Sequence, residues 1–239
     1  MEEHYGATVR TVYDEAPFYA PGPYEEWLAG ACLARAGLAA GHALADLGGG
    51  SGAFAARLRE EAGARHLTVV DPSPHMLEGA GANPLVDTTA CADALAWAEA
   101  SAPTSQGAGE GPHRFDRILL KEMVHHIHMS DLPRLFGLLR EQRLEPGGRL
   151  LVVTRPQRGI DYPLWDAARE VWARNQPSED EIVSNLRDAG FGSVSVHQHA
   201  YPHEVAADEW CRLVRTLTLN SQYQILNPVD VPQTLNPKP

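Results

Sequence analysis

The stretch that most constrains this chain is residues 44–54, LADLGGGSGAF, where an apolar run leads into a glycine turn and then into a helix-favouring segment. Within it, Asp46, Gly48, Gly50 and Gly52 form the pattern D-x-G-x-G-x-G. Because glycine has no Cβ, these positions let the backbone turn sharply and let a ligand approach it closely. A buried strand, a glycine turn and a helix in this order predict a small molecule bound over the turn.

Two acidic residues indicate which small molecule this is. Gly48, Gly50 and Ala53 also satisfy a loose dinucleotide pattern, G-x-G-x-x-G/A, which is a weak signal by itself. Asp46 would repel a pyrophosphate and attract an ammonium group, and S-adenosylmethionine carries an ammonium group and no phosphate. Asp71 ends the next apolar run, at the place where an α/β nucleotide site binds ribose hydroxyls. Asp46 favours S-adenosylmethionine over NAD, whereas Asp71 suits either cofactor, and an NAD-dependent oxidoreductase is kept as an alternative.

At this point the chain resembles the class I S-adenosylmethionine-dependent methyltransferases, and within them the small-molecule type 11 branch. The matching pieces follow one another in the family's order between residues 13 and 215: DLGGGSG, VVDPSPHML, CADAL, FDRILLKEMVHHI, LEPGGRLLVV and LRDAGF. The resemblance implies an enzyme that binds S-adenosyl-L-methionine, releases S-adenosyl-L-homocysteine and methylates a small-molecule acceptor.

The same resemblance implies roles for further residues. Asp46 is expected near the methionyl amino group, Asp71 at the ribose and Asp93 at the adenine, although Asp93 could also cap the helix that follows it. Met76 is expected to border the adenine, with ordinary core packing as the alternative. Tyr19 belongs to an aromatic segment that precedes the core in this family and folds over the cofactor and the acceptor.

The order of the predicted elements indicates the fold class. Apolar runs separated by helical segments predict a doubly wound, mostly parallel, Rossmann-like α/β sheet with helices on both faces. The predicted strands are residues 43–47, 67–71, 85–91, 115–121, 149–154 and 193–198. The predicted helices are residues 24–39, 51–61, 74–78, 94–100, 131–143 and 178–189.

The two ends of the chain differ from this core. Residues 1–42 are interpreted as an N-terminal lid and helix, residues 43–200 as the cofactor-binding core, and residues 201–239 as an atypical or truncated C-terminal segment. Residues 217–239 contain no Ala, Gly, Arg or Glu, so the family's final antiparallel strand is expected to be missing or altered. A catalytically impaired cofactor-binding protein or interaction module is therefore an alternative function.

The exit of the fourth predicted strand, KEMVHHIH, is the place to look for acceptor-facing groups. His125 and Glu122 are the candidate catalytic residues, because an imidazole with a near-neutral pKa or a carboxylate can act as a general base. His126 is interpreted as structural. The clustered histidines lack an acidic partner at metal-ligand spacing, so no metal site is predicted.

Composition restricts the partners. The net charge of −11 and the pI near 5.4 disfavour nucleic acid as the acceptor, since such binding needs clustered Lys and Arg. A macromolecule methyltransferase is thus a weaker alternative. Three scattered cysteines indicate neither a disulfide framework nor a zinc site. With no apolar leader and no run of about 18 apolar residues, we expect a soluble cytoplasmic protein.

Overall fold

The computed structural model describes residues 22–100, 112–160, 164–202, 204 and 206–211. Within them, five strands form one parallel sheet in the order β3-β2-β1-β4-β5. The strands are β1 Ala43–Leu47, β2 His66–Asp71, β3 Thr88–Cys91, β4 Phe115–Lys121 and β5 Leu144–Val153. This sheet confirms the predicted doubly wound, Rossmann-like α/β class.

Helices connect the strands, and two of them begin at a serine that caps the helix. They are α1 Pro23–Ala36, α2 Ala53–Ala62, α3 Pro74–Ala82, α4 Ala94–Glu99, α5 Leu132–Leu138, α6 Asp166–Asn175 and α7 Glu179–Asp188. Ser73 caps α3, because its side chain accepts a hydrogen bond from Met76 N. A capping box of Ser178 and Glu181 begins α7. None of the helices in the described part of the chain is long and apolar enough to cross a membrane.

The sheet separates two apolar cores, as the continuous apolar strands require. On one face, α1, α2 and α3 cover the sheet with small side chains that include Ala29, Ala55 and Ala80. On the other face, α4, α5 and α7 contribute larger side chains, among them Trp97 and Phe136, both no more than 1% exposed. Helices therefore lie on both faces, and the loops at the carboxyl ends of the strands are left to form a site.

The strand order creates a crevice between β1 and β4. From β1 the chain builds outward to β2 and β3, and it then crosses back to place β4 on the other side of β1. Leu47 pairs with Leu120 in this register, so the glycine turn after β1 lies beside the residues that follow β4. In open α/β sheets, ligands bind in the crevice at such a point.

Some predicted boundaries are wrong. The predicted strand 193–198 is not a strand in the described structure. A strand needs a neighbour for its backbone hydrogen bonds, and β5 pairs only with β4 among the described strands. β3 begins at Thr88 rather than at residue 85, because Val86 N donates to Asn83 O in a turn. The predicted helix 131–143 changes after Leu138 into a short π-helix, Leu139–Arg143.

Candidate functional site

The glycine turn after β1 has the backbone conformation that the sequence predicts. Gly48, Gly50 and Gly52 have φ angles of 70°, 57° and 71°, in the left-handed region that favours glycine. A Cβ at Gly48 would lie 2.9 Å from Met123 Cβ, and a Cβ at Gly50 would lie 2.8 Å from Met76 Cε. The turn is therefore closely covered by two methionines, of which the sequence analysis identified only Met76.

Asp71, at the end of β2, holds the glycine turn in place. Its Oδ2 accepts a hydrogen bond of 3.0 Å from Gly50 N, and its Oδ1 accepts one of 2.9 Å from Ser73 N. Burial raises the pKa of this carboxyl group, while the two backbone N–H groups act in the opposite direction. Each carboxylate oxygen has a second lone pair, so Asp71 can also accept hydrogen bonds from ligand hydroxyls.

Asp46, in β1, is the most deeply buried acid of the site. It is 3% exposed, and burial raises its pKa to about 7, although the charge of Lys121 lowers this pKa. Within the described part of the chain, no group donates a hydrogen bond to its Oδ1 atom. An unsatisfied buried acceptor is costly, and a ligand ammonium group would satisfy it. This atom therefore fits the methionyl end of S-adenosylmethionine.

The remaining predicted cofactor residues have different placements. Asp93 is exposed and caps α4, since its Oδ1 accepts a hydrogen bond of 2.8 Å from Ala96 N. Its other oxygen is available in principle for an adenine amino group, so the two predicted roles are compatible. Met76 is partly buried over Gly50, and its predicted contact with the adenine stays a prediction. Tyr19 lies outside the described residues.

Glu122 follows β4 in an unusual backbone conformation. Its φ is +53°, and among the described residues no other non-glycine residue has a positive φ. Its N–H group donates to Val153 O at 2.8 Å, and its Oε1 accepts a hydrogen bond from Arg155 Nε at 3.0 Å. The two side chains are only 14% and 17% exposed, so this ion pair is largely shielded from water. Strained residues of this kind concentrate at functional sites.

Glu122 offers a direct test of this strain. Alanine and glycine at this position both remove the ion pair with Arg155, but only glycine adopts a positive φ without steric cost. We expect Glu122→Gly to be more stable than Glu122→Ala by about 1 kcal/mol. Urea denaturation of the two variants measures this difference. Equal free energies of unfolding would show that the backbone at Glu122 is not strained.

Sequence reasoning missed Arg155 and Tyr24. Arg155 follows β5 just as Glu122 follows β4, and parallel strands bring both residues to the same edge of the sheet. The guanidinium carbon of Arg155 lies 5.6 Å from the ring centroid of Tyr24, near the start of α1. Burial raises the pKa of Tyr24, which keeps its phenol neutral. A charged residue directly after each of two adjacent predicted strands is the signal that could have identified Arg155.

His125 differs from the expectation of a near-neutral pKa. It lies in a short 3₁₀ turn, Val124–His126, where burial lowers its pKa to about 3, and the neighbouring His126 acts in the same direction. The centroids of the two imidazole rings are 4.2 Å apart. His125 is therefore neutral at pH 7 but binds a proton weakly. In the described part of the chain, no group of His, Cys, Asp and Glu could hold a metal ion.

An open groove of about 2470 Å³ runs along the outer edge of β5. Tyr24, Trp27, Glu122 and Arg155 line it where it reaches the carboxyl ends of the strands, whereas the glycine turn does not. A typical small-molecule pocket has a volume of roughly 300–1,000 Å³, so the whole groove is too large to be one. Its lining includes Glu122, which directly follows β4 and connects this part of the groove with the carboxyl end of that strand.

Known structures share this fold. Phosphoethanolamine N-methyltransferase 2 from Haemonchus contortus, solved with phosphomonomethylethanolamine and S-adenosylhomocysteine, has 22% sequence identity and a TM-score of 0.62, over 90% of this chain and 46% of that one. The cyclopropane synthase MmaA2 from Mycobacterium tuberculosis has 17% identity and a TM-score of 0.60, over 89% and 79%. A methyltransferase from an antibiotic biosynthesis pathway of Anabaena variabilis has 19% identity and a TM-score of 0.52, over 69% and 60%.

The chain spans only part of two of these proteins, because it covers less than two thirds of the length of the Anabaena and Haemonchus proteins. No curated protein sequence matches it. A sequence model of a methyltransferase domain, however, matches residues 27–196, which is well over half of the chain. The protein therefore belongs to the methyltransferase-domain family.

Proposed function

We propose that this enzyme methylates a small molecule bound at the carboxyl ends of β4 and β5. The observation that carries the proposal is the convergence of two groups of residues at one edge of the sheet. Asp46 and Asp71 lie beside the glycine turn, and the largely buried pair of Glu122 and Arg155 lies across the crevice from them. One group suits a cofactor and the other suits an acceptor.

The chain's own residues would hold the cofactor as follows. Asp46 accepts a hydrogen bond from the methionyl ammonium group, and Asp71 accepts hydrogen bonds from the ribose hydroxyls. Gly48, Gly50 and Gly52 give the turn beneath the ligand its left-handed backbone conformation. Asp93 is proposed for the adenine amino group and Met76 for the apolar face of the adenine. When bound, S-adenosylmethionine supplies an electrophilic methyl group on its sulfonium.

The acceptor residues have mainly an orienting role in this proposal. Glu122 and Arg155 form a fixed carboxylate–guanidinium pair that offers the acceptor both a hydrogen-bond acceptor and a charged donor. His125 is a weak base because its pKa is about 3, so we assign it to acceptor contact rather than to proton removal. Alignment of two reacting groups is itself a large source of rate enhancement.

Binding and transfer assays test this function. Calorimetric titration with S-adenosylhomocysteine is expected to give saturable, one-site binding, and labelled S-adenosylmethionine is expected to transfer its methyl group to a member of a panel of amines, phenols and carboxylic acids. A melting-temperature shift with NAD but none with S-adenosylhomocysteine would overturn the cofactor assignment. Binding without transfer to any acceptor would favour the non-catalytic alternative.

Arg155 provides a variant that separates the acceptor from the cofactor. We expect Arg155→Met to lower methyl transfer at least tenfold, by loss of a charged hydrogen bond worth about 1.5–3 kcal/mol. The affinity for S-adenosylhomocysteine should stay within about threefold, since Arg155 belongs to the acceptor side. Arg158→Met, at an exposed arginine three residues further on, is the matched control and should change neither quantity. Equal losses of binding in both variants would contradict the assignment.

A further inference from the structure

The residues proposed to bind the cofactor leave the carboxylate of its methionyl group without a partner. The methionyl group of S-adenosylmethionine is a zwitterion, and Asp46 is suited only to its ammonium half. The other assigned side chains with charge, Asp71 and Asp93, are also acids. A carboxylate placed beside Asp46 and Asp71 would be repelled unless a cation lay close to it.

Four backbone N–H groups of the glycine turn already have partners within the protein. Gly48 N and Gly49 N both donate to Val70 O, at 2.8 and 3.2 Å. Gly50 N donates to Asp71, and Gly52 N donates to Gly49 O at 2.9 Å. Because these four N–H groups shape the turn, a positively charged side chain is the stronger candidate for the carboxylate.

Lys121 is the cation at this position. It is the last residue of β4, directly after Leu120, which pairs with Leu47 of β1, so it lies beside the start of the glycine turn. Its Nζ atom is 5.0 Å from the ring centroid of Phe54, in the first turn of α2. Lys121 is therefore held over the segment that joins β1 to α2, on the β4 side of the crevice.

The electrostatics agree with this geometry. The charge of Lys121 lowers the pKa of Asp46, and it also lowers the pKa of Cys32 on α1. The ammonium group thus lies near enough to influence both β1 and α1. A negative and a positive side chain on adjacent strands match the two charges of an α-amino acid.

We propose that Lys121 binds the methionyl carboxylate of S-adenosylmethionine, so that Asp46 and Lys121 together recognise the zwitterion. This inference rests on the proposed cofactor site. In the ligand-free protein the charge of Lys121 stabilises the ionised form of Asp46. In the complex Asp46 faces the ligand ammonium group and Lys121 faces the ligand carboxylate. Each of these two side-chain charges then has a ligand charge of opposite sign beside it.

Three ligands separate this role from a purely structural one. S-adenosylhomocysteine has both charged groups, its decarboxylated analogue keeps only the ammonium group, and 5′-methylthioadenosine has neither. By calorimetry, Lys121→Met is expected to weaken binding of S-adenosylhomocysteine by about 10- to 100-fold, the value of a hydrogen bond to a charged group. The affinity for 5′-methylthioadenosine should change less than about twofold. The affinity for the decarboxylated analogue should fall less than that for S-adenosylhomocysteine, because loss of the Lys121 charge also raises the pKa of Asp46.

Two further variants complete the test. Lys121→Arg keeps the positive charge and should restore most of the affinity for S-adenosylhomocysteine. Asp46→Asn should weaken the binding of the two ligands that carry the ammonium group and leave the binding of 5′-methylthioadenosine unchanged. Because 5′-methylthioadenosine needs only the adenosine part of the site, its binding also reports that each variant is folded.

The outcomes are distinguishable. If Lys121→Met lost affinity equally for all three ligands, Lys121 would have a structural role and the inference would be overturned. An unchanged affinity for S-adenosylhomocysteine in this variant would also overturn the inference. If Lys121→Met does not fold, the unmodified protein still tests the inference, because removal of the ligand carboxylate must weaken binding by a similar factor. Failure of the unmodified protein to bind S-adenosylhomocysteine at all would overturn the proposed cofactor site instead.

Discussion

Replacement of Asp71 by alanine is expected to lower the affinity for S-adenosylhomocysteine at least 100-fold. The carboxylate would accept hydrogen bonds from two ribose hydroxyls, and each hydrogen bond to a charged group contributes about 1.5–3 kcal/mol. The same side chain holds Gly50 N and Ser73 N, so its loss also leaves two N–H groups without their acceptor and loosens the glycine turn. Calorimetric titration measures the effect.

Asp87 provides the matched control for Asp71. Its Oδ2 also accepts a backbone hydrogen bond, from Leu67 N at 2.8 Å, but near the amino end of β2 rather than the carboxyl end. Asp87→Ala should lower the melting temperature and leave the affinity for S-adenosylhomocysteine within about threefold. If Asp71→Ala bound the ligand as well as Asp87→Ala does, Asp71 would not be a cofactor residue.

Replacement of Asp46 by asparagine is expected to weaken the binding of S-adenosylhomocysteine while it stabilises the ligand-free protein at high pH. Burial raises the pKa of Asp46 from 3.8 to about 7, so the folded protein holds this proton more tightly than the unfolded chain does. The free energy of unfolding therefore falls as the pH rises from about 4 to about 7, and it stays low above pH 7. Asparagine does not ionise and avoids this loss.

The expected stability gain of Asp46→Asn is on the order of a few kcal/mol at pH 8 and should disappear near pH 4. Denaturant unfolding at the two pH values measures it. The ligand affinity should fall at least tenfold at pH 8, because an amide lacks the charge that an ammonium group requires. A variant that was less stable than the unmodified protein at pH 8, but not at pH 4, would contradict a raised pKa for Asp46.

The pH dependence of binding gives a second measurement of the same group. Only the ionised form of Asp46 can pair with the ligand ammonium group, so ligand binding below about pH 7 must first release a proton. The affinity of the unmodified protein for S-adenosylhomocysteine should then fall by up to about tenfold per pH unit as the pH decreases below 7. Asp46→Asn should show a flatter profile. Equal slopes would assign the titration to another group.

The glycine turn and the acids beside it could be predicted because their sequence signals are local. The glycine turn follows β1 directly, and Asp71 ends the next strand, so both are readable from short stretches of sequence. Ser73 and Ser178 cap the predicted helices for the same reason, since a cap depends on residues within one turn. Met76 lies close to Gly50, because α3 begins at Pro74 and brings it back toward the turn, and its contact with the adenine stays a prediction.

The acceptor side could not be predicted in the same way. The pair of Glu122 and Arg155 joins residues 33 positions apart, through the parallel pairing of β4 and β5. The alternating residues 193–198 resemble a strand locally, but a strand forms only where a neighbour offers hydrogen-bond partners. His125 was expected to titrate near neutrality, and burial, which sequence patterns do not report, moves its pKa to about 3.

The sequence by itself thus determined the fold class, the glycine turn and the acids near the carboxyl ends of β1 and β2, because apolar periodicity and backbone freedom act over a few neighbouring residues. Tertiary structure alone decided which charged groups meet across the crevice and how far each is removed from water. Lys121, Glu122 and Arg155 acquire their roles from the order of the strands, and Asp46 acquires its raised pKa from burial. Both effects depend on contacts between distant parts of the chain and on the exclusion of solvent.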